Sequence, residues 1–293
     1  MFSARTRSRD GFTLVELMIS AVLAGIFALI VFQLLRGQSR FVALEGAREE
    51  VQQNVRGALE VISAELRAVP PAGLLEGSAN RIQFLLPRAW GVSCGGGSGT
   101  AGSFLFPTLP AGMIPTGAPT GSWGVMGNVG TMAAPVWQAS TVALGARSAV
   151  NNIASAVVTA APCNTMGSSG PVQGLSLTGT NFPIVPQGNP AFLFTVVQYD
   201  TDVGDGNLYW LRRGTGAAGS QQPLAGPLPA STSLSFKYYD TPNGAAVAAP
   251  GTNAATLATI DRVQVFLTTR SRTAASGSVQ TQRDSMMVYL RNQ

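Results

Sequence analysis

The sequence predicts an α+β protein, with one long N-terminal helix that packs through its second half on an antiparallel β-sheet head. Three observations predict it. Phe12 to Leu35 is a run of 24 residues dominated by Leu, Ile, Val, Ala, Phe and Met, with Glu16 as its one charge. Past Arg40, apolar residues recur at Val51, Val55, Leu59, Ile62 and Leu66, in steps of three and four that put them on one helical stripe. After Pro70-Pro71 the pattern changes to short runs rich in β-branched and aromatic residues.

A helix rises about 1.5 Å per residue and a bilayer core is roughly 30 Å thick, so about 20 apolar residues suffice to cross it. Residues 12–35 are long enough. No proline interrupts the chain from Phe12 to Val69, so a single helix of roughly 85 Å is expected over these residues. Residues 12–35 form its membrane part and 36–69 its amphipathic continuation. Arg48, Glu49, Glu50, Arg56, Glu60, Glu65 and Arg67 fill the faces away from the stripe. Pro70-Pro71 ends it, because proline lacks a donor and restricts its predecessor. Gly25, Gly37, Gly46 and Gly57 are weak points, each costing about 1 kcal/mol against Ala, and mark places for bending or close helix contact.

Residues 72–293 form the head. Strands are expected at Arg81–Leu86, at Phe192–Tyr199 and Leu208–Arg213 as a hairpin, and at Ser233–Tyr239, Arg262–Thr269 and Ser285–Leu290, all in one sheet. From about residue 91 to 190, Gly, Ala, Ser, Thr and Pro dominate. This reads as a large insertion, either an interaction surface or a solvated decoration. Strands hide in it, for example at Thr141–Leu144 or Ala156–Thr159.

Gly11, Phe12, Thr13, Leu14, Val15 and Glu16 resemble the prepilin signature of type IV pilins and type II secretion pseudopilins. The resemblance implies a pilin-like fold, a leader at residues 1–11, cutting between Gly11 and Phe12 by a prepilin peptidase, and N-methylation of the new Phe12 amine. A secretory signal has its cleavage site after the apolar region, whereas this one lies before it, so the helix is kept. Implied partners are other pilins, an inner-membrane assembly platform and membrane lipid. The chain would begin as a single-pass inner-membrane protein and end in a pilus, in the periplasm or on the surface.

A carboxylate in the hydrocarbon layer costs roughly 2.5 to 3.5 kcal/mol, so Glu16 needs a reason. One reading is a helix-start acid favoured by the dipole. The other pairs Glu16 with the Phe12 amine of a neighbouring subunit, since a buried charge is tolerated when paired.

Leader residues Arg5, Arg7 and Arg9 against Asp10 carry a net +2 of the chain's +5, and they place the N-terminus inside. The head then faces an oxidising compartment, where Cys94 and Cys163 are expected to form a disulfide worth roughly 4 kcal/mol over a loop of about 70 residues. Two free thiols are the alternative. Histidine is absent and Lys237 is the one lysine, so no Ser-His-Asp set or His-based metal site exists and an enzyme is not expected. No cofactor is implied. Asp200, Asp202 and Asp205 form a weak Ca²⁺ candidate against the plainer reading of a hairpin turn. Arg212-Arg213 with Tyr209 and Trp210, and Arg270 with Arg272, form a basic-aromatic candidate for nucleic acid, against the plainer reading of Arg stems on the solvent side of strands.

Leu234–Asp240 (LSFKYYD) and Val288–Asn292 (VYLRN) resemble the closing strands of W-type minor pilins and J-type pseudopilins. The expectation is a structural minor pilin that starts or caps a type IV pilus used in adhesion, twitching or DNA uptake. The alternatives are a J-type pseudopilin and a DNA-binding subunit of an uptake pilus.

Overall fold

The computed structural model describes residues 13–290 apart from 71, 95–97, 108–122, 150–171, 180–181, 205–207, 216–219, 242–243, 273 and 275–276. Its contacts divide the chain into two compact units, residues 1–50 with 271–280 and residues 51–270 with 281–293. The division falls at Glu50/Val51, well beyond the end of the apolar run at Leu35.

In the first unit the chain is the N-terminal part of helix α1, which runs Leu14–Leu66. Its apolar side chains are exposed on every face, from Leu14 through Leu35 and again at Phe41 and Val42. The helix runs unbroken through Gly25, Gly37, Gly46 and Gly57, and a Cβ at any of them would meet nothing within 4 Å. These glycines therefore serve no contact within the described chain. Ser39 returns its hydroxyl to Leu35 O at 2.8 Å, which keeps a polar side chain satisfied within the helix.

In the second unit the predicted stripe is buried at every position, since Val51, Val55, Leu59, Ile62 and Leu66 are each 2% exposed or less. The helix ends at Leu66, three residues before the expected Val69. Ala68 N to Glu65 O (3.0 Å) and Val69 N to Leu66 O (3.2 Å) tighten the exit to i→i+3 bonds ahead of Pro70.

Twelve strands follow: β1 Leu74–Gly77, β2 Ile82–Ser93, β3 Ala101–Pro107, β4 Trp123–Asn128, β5 Trp137–Ala149, β6 Val172–Thr178, β7 Pro190–Val203, β8 Tyr209–Gly214, β9 Gln222–Leu228, β10 Leu234–Tyr239, β11 Arg262–Arg270 and β12 Thr281–Tyr289. A short helix α2, Ala254–Leu257, is capped by Asn253. All six expected strands are present, and β7 and β8 form the expected hairpin. The strands make two sheets rather than one, and every pairing is antiparallel. The three-stranded sheet has the order β10-β11-β12, and the nine-stranded sheet the order β1-β2-β3-β6-β5-β4-β7-β8-β9.

The nine-stranded sheet closes on itself, because β2 also pairs with β7 from Ile82↔Tyr199 to Val92↔Pro190. Strands β2, β3, β6, β5, β4 and β7 therefore form a six-stranded ring. β4 takes the other edge of β7 at residues 191–195, and β8 takes it at 198–203. The composition-shifted segment is thus no surface decoration. It supplies β3 to β6, four strands of the ring. Thr141–Leu144 falls inside β5, and Ala156–Thr159 lies outside the described residues. Alternation along the strands sends Phe104, Phe106, Trp123, Val125, Ala191 and Leu193 into one buried cluster. Small residues permit the close approaches: a Cβ on Gly91 would strike the Leu105 carbonyl of β3, and one on Gly124 the Phe194 ring of β7.

A second cluster joins the helix stripe to both sheets. Val55, Leu59, Ile62 and Leu66 share it with Ile82, Phe84, Val197 and Tyr199 of the large sheet and with Phe236, Tyr238, Val263 and Val265 of the small one. Thr269 donates its hydroxyl to Val51 O at 3.1 Å, and Asn54 Nδ2 reaches Gly226 O at 3.4 Å. Leu59→Ala is expected to cost about 2–5 kcal/mol in urea unfolding of the detergent-solubilised chain, because Leu59 is buried within this cluster. Val61→Ala, at a position 38% exposed, serves as the comparison and is expected to cost well under half as much.

Candidate functional site

The start of α1 is built by Thr13. Its hydroxyl accepts from Glu16 N at 3.3 Å, and its carbonyl accepts from Leu17 N at 3.2 Å. Thr13 thus stands at the N-cap and Glu16 at the third helical position, a favourable place for an acid beside the unpaired N–H groups of the first turn. This satisfies the local reading of Glu16. Its side chain is exposed and has no ion pair among the described residues, so it remains open to a partner from another chain. Gly11 and Phe12 lie outside the described residues. The apolar stretch is the one described helix long and apolar enough to cross a membrane.

The second polar constellation ties the helix into the head. Glu65 accepts from Arg213 Nε at 3.2 and 3.1 Å and from Arg213 Nη2 at 2.6 Å, a bidentate pair. The Tyr199 hydroxyl donates to Glu65 Oε2 at 2.5 Å. Arg88 stands near this group and donates to Thr195 Oγ1 at 3.0 Å. Burial lowers the Arg88 pKa, the Arg213 charge lowers it further, and Glu65 opposes both. The hydrogen bond to Glu65 raises the Arg213 pKa against burial, so Arg213 stays charged.

This arrangement corrects two expectations. Glu65 is not on a solvent face of the helix, since its side chain is only 18% exposed. Nor is Arg213 part of a solvent-side basic patch, because its guanidinium is consumed by Glu65. The missed signal is spacing: Glu65 lies three residues after Ile62 and so borders the buried stripe. Arg212 does point to the other side of β8, but there it pairs with Asp202 at 2.9 Å and reaches Val203 O at 3.3 Å. The Trp210 ring lies over Gly204 and Gly226. Arg272 stands 3.7 Å from Glu50.

Asp200 and Asp202 do not converge on a cation. Asp200 Oδ2 accepts from the amides of Gln198 and Gln221, both at 2.7 Å, and Asp202 serves Arg212. Asp205 lies outside the described residues. Gly204 N to Leu208 O at 2.7 Å closes the β7–β8 turn, the plainer of the two readings. Among the described residues no group of three His, Cys, Asp or Glu is placed to hold a metal. Cys94 is buried and disulfide-bonded, while Cys163 lies outside the described residues.

Two outcomes follow from the Glu65 constellation. Glu65→Gln leaves Arg213 half-buried without its counter-charge, and is expected to lower unfolding stability by about 2 kcal/mol. Burial raises the Tyr199 hydroxyl above its ordinary value of 10.0, and the bond to Glu65 raises it again. The folded chain then holds a proton that the unfolded chain releases, so this contribution is complete below pH 10 and lost as pH climbs beyond it. Tyr199→Phe is expected to flatten the alkaline fall in stability, measured as urea midpoints from pH 8 upward.

Comparison with known proteins adds one match. Residues 6–32 match the family model of the prokaryotic N-terminal methylation motif. No curated protein and no solved structure matches the chain. The matched residues take in Gly11, Phe12, Thr13 and Glu16 and run into the apolar part of α1. The chain therefore carries a type IV pilin-like N-terminal methylation motif at residues 6–32, at the head of a helix of membrane-spanning length that leads into an α+β fold.

Proposed function

We propose that the chain is a minor pilin that starts or caps a type IV pilus, with a structural rather than catalytic role. The observation that carries this reading is the apolar shaft. From Leu14 to Val42 its side chains are exposed, with no cover among the described residues, and a single acid stands at its start. Lipid covers such a surface before assembly, and like helices cover it in a fibre. In this reading prepilin peptidase cuts between Gly11 and Phe12, and the Phe12 amine is methylated. That amine and the Glu16 carboxylate of an adjacent subunit then neutralise each other in the apolar interior. The assembly platform and the other pilins are the partners, and the pilus is the final location. The resemblance to W-type minor pilins, shared with J-type pseudopilins, is supported by β10 and β12: Leu234–Tyr239 is β10, and Val288 and Tyr289 end β12.

Glu16→Val tests the pairing. The variant is expected to insert and to be cleaved normally, but to fall at least about tenfold in sheared filaments, since 1.4 kcal/mol is tenfold in an equilibrium and a broken buried pair costs more. Filaments that carry the variant at wild-type level would contradict the pairing. Deletion of the gene is expected to abolish piliation and twitching. Normal piliation with exoprotein retained in the periplasm would assign the chain to a type II secretion pseudopilus instead.

A further inference from the structure

The basic-aromatic surface absent from β8 is assembled elsewhere, on the outer face of the three-stranded sheet. In β11, Val263, Val265 and Leu267 point into the core, while Arg262, Phe266 and Arg270 point outward. In β10, Leu234, Phe236 and Tyr238 are buried, which turns Lys237 and Tyr239 outward. The register places Arg283 and Tyr289 of β12 on the same face, opposite Thr268 and Arg262.

Cations and rings interlock there. Arg262 lies 4.5 Å from the centre of Tyr239 and 6.0 Å from that of Tyr289. Lys237 and Arg283 flank the Phe266 ring at 5.4 and 5.3 Å. A guanidinium or ammonium held over a ring keeps its charge. Lys237 and Arg283 are exposed, while Arg262 also donates through Nη2 to Gly244 O at 3.2 Å and the Nε atoms of Arg262 and Arg270 are buried. Acids are missing from the face. The one carboxylate in the three strands is Asp284, which pairs across from Leu267 and so belongs to the opposite side. None of Lys237, Arg262, Arg270 and Arg283 forms a salt bridge among the described residues, whereas Arg81, Arg212 and Arg213 all do.

The positions form a line. Rungs two residues apart on a strand are separated by about 6.6 Å. Along β11 the cations fall on the rungs of Arg262, of Gln264 (Lys237), of Thr268 (Arg283) and of Arg270. A row of charges over about 26 Å suits a polymer with repeated anionic groups better than a single small anion. Tyr289, 54% exposed, offers aromatic surface beside the row.

We propose that this face binds single-stranded nucleic acid, with phosphates on the four cations and a base against Tyr289. A backbone-tracking row of cations beside exposed aromatic surface is how sequence-tolerant single-strand binding works. The major groove of a duplex admits a helix or a two-stranded ribbon, whereas a three-stranded sheet fixed to a core is too wide for it. The inference does not depend on the fibre reading.

The test is fluorescence anisotropy of a labelled oligothymidine of about 20 nucleotides, with the full chain in neutral detergent micelles. Binding is expected at about 50 mM salt, weakening steeply by about 200 mM. Lys237→Gln with Arg283→Gln removes two exposed cations, and is expected to lower affinity more than about tenfold and the salt slope by about 1.4. Lys237→Arg with Arg283→Lys keeps both charges and is expected to bind like the wild type. Absence of binding at low salt, or equal binding by the Gln variant, would overturn the proposal. So would stronger binding of duplex DNA, or equal displacement by a sulfated polysaccharide at matched charge.

Discussion

One helix has to satisfy two solvents, and the rest of the molecule follows from how its surface is divided. Up to Val42 its apolar side chains are bare on every face. From Val51 onward an apolar stripe is buried by the chain's own sheets, and among the large apolar side chains of this part Val61 is left exposed. A uniformly apolar surface is compatible with lipid or with a bundle of equals, whereas a striped one requires a folded partner on a single side. The chain supplies that partner from strands as distant as β12, Thr281–Tyr289.

The stripe holds two sheets at once, which is why the core cluster runs from Ile82 and Tyr199 on one side to Val263 and Val288 on the other. Glu65 adds direction to that apolar grip. Burial of apolar surface is insensitive to small rotations, but a bidentate contact to Arg213 with Tyr199 on the second oxygen admits one rotation of the helix. Pairing makes a carboxylate tolerable at this depth, and the geometry it demands fixes the helix against β7 and β8.

The closed ring of six strands explains why a Gly-, Ala- and Ser-rich segment belongs in a core at all. Strands that curve into a small ring need positions without side chains where backbones or rings come close, as at Gly91 and Gly124. Large residues then concentrate on the inward positions, with Phe104, Phe106, Phe182 and Trp123 as the bulkiest. A low density of apolar residues in the sequence is therefore compatible with a filled interior.

Much of this was legible in the chain itself. Hydropathy and period fixed the apolar shaft, the buried stripe and six strands, because those signals depend only on neighbours within a few residues. The methylation motif was readable for the same reason, being contiguous from Gly11 to Glu16. Three features were not readable. The ring needs β2 to meet β7, Ile82 opposite Tyr199, and no local pattern encodes a pairing across more than 100 residues. The fate of Arg213 was decided by Glu65, and the outward row of cations draws Lys237, Arg262 and Arg283 from three separate strands. Sequence alone settled which surfaces are apolar; which polar groups are spent inside and which stay free was settled by long-range register, since a charge finds its partner only after the strands are paired.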